Sequence, residues 1–511
     1  MSVSSKHPAY SERLADWAQM RDTHSGERAV KERGSRYLAP TSGMVLDGFG
    51  VGSTASRGYA AYLAYRGRAS YPELVREAVQ SMVGIIHAKP PIIELPAALE
   101  PMRERATLAN ESLEMLLRRI TEEQLISGRA GLLLDAPTLE PIQARDAVPY
   151  IATYIAESII NWDAGGRDLP KPEALNLVVL NETEPVRTGD GFEWETEERY
   201  RVLVLGEVLE NEESEGGSVY RVGVFTEDDS FTESAMASPV FRGKTLDRIP
   251  FVFANTKDIV PEPDAPPLLG LSNLSLTIYR GEADYRQSLY MQSQDTLVVI
   301  GGPVDEEANY RTGAGAAITL PIGGDAKYIG VDSQGLPEMR TALENDYARA
   351  QEKAGALLNE TSRERESGDA LRVRVAARTT TLRSIATTAA FALQEILRIA
   401  AVWVGANPDE VMVEPNVDFV QDSMTGKDLL DLMGAKGLGA PLSLESIHKI
   451  MRARGMTDNE FEDEVQEIED EIDLDMIPKM STDPAGPEAV GPEAADDEAD
   501  DEAADDAAVD G

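Results

Sequence analysis

The chain has 511 residues, 42% of them hydrophobic, with 90 acidic against 48 basic side chains and a formal charge of −42. That length exceeds one ordinary core, so several domains are expected. No cysteine is present, which excludes a disulfide framework, a thiol nucleophile and thiolate metal sites.

The start, Met1-Ser-Val-Ser-Ser-Lys-His-Pro8, lacks the apolar core of a signal peptide. The most apolar long run, 385–404, is interrupted by Glu395 and Arg398, so a soluble protein with no membrane partner is expected. Residues 458–475 and the tail from 483 onward hold about two dozen acids and no basic residue, over half of the net charge. The tail reads as a solvated, disordered segment. A firm grip on duplex DNA requires a basic patch to neutralise phosphates, and none stands out along the sequence.

Residues 1–34 read as a charged helical segment, followed by a glycine-rich stretch over 43–58. Ser70-Tyr-Pro-Glu73 has capping-box spacing ahead of Leu74, Ala78, Val79, Met82 and Ile86, and the helix stops before Lys89-Pro-Pro91. A second helix is expected over 99–126, then a short buried strand over 132–135 and an apolar segment over 148–162. After residue 173 the texture changes: β-rich runs at 175–180, 199–205, 218–225 and 250–254 are divided by charged or Gly-rich turns. They read as a small β-rich module inserted between helical regions. Helix returns over 268–294, strands are expected at 296–300, 317–320 and 328–331, and 411–420 is extended. Three short amphipathic helices are expected at 426–434, 443–454 and 458–472.

Residues 336–404 carry the strongest signal. Leu336, Met339, Leu343, Tyr347, Ala350, Ala354 and Leu357 recur at spacings of three or four, as do Leu382, Ile385, Ala389, Leu393, Ile396, Ala400 and Trp403. Between the two arms lies a polar break at 359–369, with no apolar side chain before Ala370.

Catalytic motifs fail on inspection. Gly243-Lys-Thr245 resembles the end of a phosphate-binding loop, but Ser238 stands where its first glycine belongs. The glycines at 48–52 and 313–315 fit no dinucleotide fingerprint and read as loops. His7, His24, His87 and His448 are scattered without a second ligand at metal spacing; His87 reads as a helix-end residue. The acid pairs near 462–475 suit weak divalent-ion association only. No serine stands in Gly-x-Ser-x-Gly, and nothing assembles a nucleophile, base and orienting group. No enzyme and no cofactor are expected.

The order of elements resembles the portal proteins of tailed bacteriophages, the head-to-tail connectors. The resemblance rests on Tyr37-Leu38, Gly128-Arg-Ala-Gly-Leu-Leu-Leu-Asp135, Pro149-Tyr150 through Asn161-Trp162, Tyr200-Arg-Val-Leu203, Pro250-Phe-Val252 and Glu366-Ser-Gly-Asp-Ala-Leu371, which occur jointly and in order across most of residues 30–475. It implies an α+β multidomain fold. Residues 1–165 would form an N-terminal wing region, 166–265 a β-rich clip, 266–294 a stem helix and 295–335 wing strands. Residues 336–404 would be an interrupted long helix with a tunnel loop at 359–369, 405–475 a small helical crown, and 476–511 a disordered acidic tail.

The function implied is one subunit of a ring of about twelve copies at a capsid vertex of the virion, made in the host cytoplasm. Double-stranded DNA would pass through it without sequence specificity. A terminase-type packaging ATPase, the major capsid or scaffold protein and a head–tail adaptor would dock on it. The channel-facing residues implied are Asn359, Glu360, Arg363, Glu364, Arg365, Glu366, Ser367 and Gly368. The residues alone also leave open an acidic multidomain enzyme with an unrecognised site, or a monomeric adaptor or scaffold protein.

Overall fold

The computed structural model describes residues 2–51, 54–136, 148–164, 175–189, 191–207, 218–226, 231–232, 235–292, 296–301, 320, 322–329, 335–358, 368–417, 419, 426–453, 456–457 and 459–476. Helices and several small antiparallel sheets are mixed, and the chain divides into two compact units, Met1–Phe419 and Val420–Gly511.

Helix α1 (Pro8–Ser25) has proline in its first turn, where a missing N–H costs nothing. His7 caps it, its Nδ1 accepting from Ala9 N at 3.2 Å. Gly26, at φ +95°, leads straight into α2 (Glu27–Glu32). Then follow α3 (Ser42–Leu46), α4 (Arg57–Arg68) and α5 (Leu74–Ile86). The capping box expected at 70–73 does not form: Glu73 is the N-cap of α5 and makes no side-chain bond to that helix's amides. Its carboxylate accepts from Glu27 N at 3.2 Å and pairs with Arg76 at 2.7 Å. The capping group thus serves α2, whose own N-cap, Gly26, has no side chain to offer.

After β1 (Ile92–Glu94) the helix expected over 99–126 is broken. A 3-10 turn at Glu100–Met102 contains Pro101, Asn110 takes φ +60°, and α6 spans only Leu113–Ser127. Ser112 starts it, accepting from Met115 N at 3.2 Å. Proline and a left-handed asparagine both oppose helix, whatever the apolar period around them.

The strands β2 (Arg129–Asp135), β3 (Tyr150–Ile155), β4 (Ile159–Ala164), β5 (Leu175–Asn181), β6 (Glu184–Arg187), β7 (Trp194–Glu197), β8 (Arg199–Glu207), β9 (Ser218–Thr226) and β10 (Phe251–Asn255) make three sheets. Their orders are β10-β2-β3, β4-β5-β8-β9, and β6-β7 alone. The apolar segment at 148–162 therefore supplies a strand to each larger sheet, and β10 returns to pair with β2. One large core joins α1, α6, both sheets and the later helix that ends at Val404.

The 128–135 stretch has a physical reading. Gly128 caps α6 in the left-handed region at φ +81°. Arg129 is fully buried, its guanidinium 4.3 Å from the Trp162 ring and 4.1 Å from that of Phe253. Its Nη2 donates to Pro261 O at 2.7 Å, and burial pulls its pKa down to about 9.

The chain continues through α7 (Leu269–Gln292), the hairpin β11 (Thr296–Ile300) and β12 (Asp325–Ile329), α8 (Gly335–Leu358), α9 (Gly368–Val404) and β13 (Met412–Glu414), which pairs with β1. The strand expected at 328–331 begins earlier, at Asp325. Most of the one expected at 317–320 lies outside the described residues, and Leu320 belongs to no element. The second unit holds α10 (Gly426–Gly437), α11 (Leu444–Ala453) and α12 (Phe461–Met476), near the three places expected. His448 of α11 is buried there against the Phe461 ring of α12, centroids 5.4 Å apart. The tail from 477 onward lies outside the described residues.

A Cβ at Gly131 would meet the Phe251 ring and sit 2.8 Å from Ile159 Cδ1. Gly131→Ala is therefore expected to overpack the β2–β10 contact and cost about 1–3 kcal/mol, read as a lower denaturant midpoint with an unchanged m-value.

Candidate functional site: the interrupted helix and its supports

The break between α8 and α9 is shorter than 359–369, because α9 already begins at Gly368. Asn359, Glu360, Arg363, Glu364, Arg365, Glu366 and Ser367 lie outside the described residues. Gly368 is the first residue of α9. The described structure therefore defines how the two arms that carry the break are held.

Helix α8 is seated on α7 and α5. Leu343 and Ala350 are buried, with Tyr347 and Ala354 packed beside them. Gly281 of α7 makes room, since a Cβ there would stand 2.9 Å from Leu343 Cδ2. The flanks of that stripe carry the ion pairs Arg340–Glu344 (2.8 Å) and Arg349–Asp346 (3.4 Å). Such exposed pairs add little to stability; the apolar stripe sets the orientation.

Helix α9 has 37 residues, about 55 Å at 1.5 Å per residue. Leu382, Ile385 and Ala386 belong to the helical cluster that contains Leu343 and Ala350. From Ala389 to Trp403 the same helix enters the large core. Polar ties pin it along its length. Arg383 Nη2 donates to Val417 O at 3.2 Å, Ser384 Oγ to Thr256 O at 2.9 Å and Trp403 Nε1 to Lys244 O at 3.0 Å. Gln394 Oε1 accepts from Val413 N at 3.0 Å. All four partners are backbone groups and leave no mark in a sequence pattern, so sequence reasoning missed them. A helix so held is a stiff base for whatever its N-terminal end presents.

Thr380–Val404 is long and apolar enough to cross a membrane by length and composition alone, but 67% of that apolar stretch is buried inside the structure.

The rejected motifs have structural roles. Arg242 (φ +51°) and Gly243 (φ +80°) form the centre of a two-residue turn closed by reciprocal 3.0 Å bonds between Phe241 and Lys244. The Gly-Lys-Thr stretch is thus a hairpin turn seated by the end of α9. Among the described residues no group of His, Asp and Glu could hold a metal ion.

His87 is the C-cap of α5, as its position in the sequence suggested, and it lines a small recess with Ile86, Leu117, Thr121, Ala386 and Asn416. Its Nε2 lies 2.8 Å from Thr121 Oγ1. That hydroxyl donates to Arg118 O at 2.7 Å, so the ring acts as the donor to it. Burial, with a smaller push from Arg118, lowers the imidazole pKa to about 4.

A base with a depressed folded pKa takes up a proton in the unfolded chain first. Stability from this group is present above about pH 6.5 and is lost as pH falls towards 4. His87→Gln, which retains a donor for Thr121, is expected to flatten that loss: the melting temperature of the variant relative to wild type rises between pH 6.5 and 4.5 and is flat above pH 7.

Residues 267–404, from α7 through α9, match a family described as a domain of unknown function, DUF4055. No curated protein matches the chain. Among solved structures it is similar to a chain from the neck of a native GTA particle computed with C12 symmetry, at 14% identity over 74% of this chain and 89% of that one, with a TM-score of 0.36. It is likewise similar to one from the neck of an empty GTA particle computed with C6 symmetry, at 13% identity over 75% and 90%, with a TM-score of 0.37. Scores at this level carry no argument about function.

Proposed function

We propose that the chain is a portal subunit: it assembles into a ring at one capsid vertex of a virion and conducts double-stranded DNA. The observation that carries this reading is the polar, charge-alternating break held between two long helices, the second anchored in the two larger hydrophobic clusters of the first unit. A break of that composition has no catalytic partner among the described residues, and its rigid mounting suits a loop that must keep its place while a polymer moves past. The family-like sequence signatures across residues 30–475 agree with it.

On this reading α7 is the stem helix, the strands of 166–265 the clip, the N-terminal region with β11 and β12 the wing, and α10–α12 the crown. Arg363 and Arg365 alternate with Glu360, Glu364 and Glu366. Two cations among three carboxylates offer transient phosphate contacts with no net attraction. Each firmly held phosphate would add salt-dependent affinity, which opposes sliding. The chain would be no enzyme; a packaging ATPase would supply the work, and a capsid or scaffold protein and a head–tail adaptor would complete the vertex.

Native mass measurement and negative-stain images of the purified chain test the assembly: rings of about a dozen copies with a central hole are expected, since head-to-tail contacts close into cycles. A stable monomer at high concentration sinks the reading. The loop is tested separately by replacing Arg363 and Arg365 with alanine. Rings should form as before while packaged or retained DNA falls; unaltered packaging and retention would remove these arginines from the DNA path.

A further inference from the structure

Helix α4, Arg-Gly-Tyr-Ala-Ala-Tyr-Leu-Ala-Tyr-Arg-Gly-Arg, contains no acid and no polar uncharged residue other than tyrosine. Its inner face, Gly58, Tyr62 and Tyr65, is buried in a small tyrosine-rich cluster on α7 with Tyr37, Leu38, Met44 and Tyr279. Its outer face carries Ala60, Leu63, Ala64 and Gly67 at helical spacing, and all four are exposed. Half of this acid-free helix thus presents small and apolar side chains to solvent. Helix α3 continues the surface. It lies against the start of α4, where a Cβ at Gly58 would run into the Met44 carbonyl oxygen, and it leaves Leu46 86% exposed.

Arginines outnumber carboxylates around this surface, where Asp47, exposed beside Leu46, is an acid at its edge. Arg36 lies over the Tyr37 ring at 5.6 Å, Arg280 Nε donates to Tyr37 O at 2.8 Å, and Arg66 lies over the Tyr62 ring at 5.9 Å. A Cβ at Gly34, in the same turn as Arg36, would be 3.6 Å from Arg66 Nη1. Arg57 occupies the first position of α4, at the positive end of its dipole, with no acid in that turn. None of these four forms an ion pair among the described residues, whereas their neighbours Arg28, Lys31 and Arg33 do. In a chain with 90 acids and 48 bases, that is where carboxylates from outside the subunit would be welcomed.

We infer that the outer face of α4, with Leu46 and the rim of Arg36, Arg57, Arg66 and Arg280, is a subunit contact whose occupant is a second copy of this chain. Copies carrying −42 each repel one another at long range, so a stable contact must set a locally positive surface against the acidic body of the neighbour. An exposed apolar patch of Ala60, Leu63, Ala64 and Leu46 rimmed by arginine is the kind of surface that marks a protein contact. Exposed leucines have no counterpart in a phosphodiester backbone, which argues for protein over nucleic acid. Alanine and glycine on the outer face let a partner helix approach to about 8 Å. The inference rests on the ring reading only for the number of copies.

The cysteine-free sequence makes one test direct. The full-length Ala64→Cys variant carries a single thiol, and maleimide labelling reads its exposure in separated subunits and in assemblies resolved by size. Labelling about tenfold slower in the assembly than in the subunit is expected. Arg36→Glu combined with Arg57→Glu, both at exposed positions, should shift assembly to higher protein concentration by about tenfold or more, with the subunit's melting temperature not lowered. Rings in which position 64 labels at the subunit rate overturn this inference and leave the ring reading standing. Protection of position 64 in a closed dimer keeps the surface and overturns the ring. A monomer at every concentration overturns both, and protection that appears only on adding duplex DNA assigns the surface to nucleic acid and overturns the inference.

Discussion

The first unit depends on the apolar face of α9. Burying Leu382, Ile385 and Ala386 in one cluster and Ala389 through Trp403 in another makes one continuous helix the shared wall of both. An interior packed to crystal-like density transmits displacement rather than absorbing it. A shift of α9 would therefore be felt both at α8 and α7 and at the β2–β10 pair. The polar ties to Thr256, Lys244, Val413 and Val417 add direction to that packing. Their partners are backbone groups of segments distant in sequence, which they hold against the helix.

This constraint explains the placement of the charged break. The described apolar contacts that fix the arms run to Ala354 on α8 and start at Leu382 on α9, and neither set draws on the polar residues of the break. The same separation appears in α4, whose inner face is committed to the tyrosine cluster while the outer face and its arginines are left over. The outer face of α4 takes no part in the described tyrosine cluster, and it, like the break, is proposed to serve an assembly.

Where helical period and length were unambiguous, the sequence reading and the structure agree: α5, α7, α8, α9 and the three helices of the second unit lie near their expected places. Disagreements arise where a local pattern was read without its surroundings. Ser70 and Glu73 have capping-box spacing, but Glu73 serves Glu27 N, because nothing in local spacing reveals an uncapped helix far away in sequence. The period over 99–126 overruled Pro101 and Asn110, whose backbone preferences break the helix. Charge along the chain showed no basic patch, since Arg36, Arg66 and Arg280 converge only through Tyr37 and Tyr62.

The sequence by itself determined the helical arms, their polar interruption, the cysteine-free chemistry and the acidic balance, because each depends on residue type and near-neighbour spacing. Only the tertiary structure decided which strands share a sheet, what α9 is pinned to, and which arginines gather at one surface. Those depend on contacts between residues as distant as Gln394 from Val413 N or Tyr37 from Arg280. Many of the partners are backbone atoms, identical at every position, and so invisible until the chain is folded.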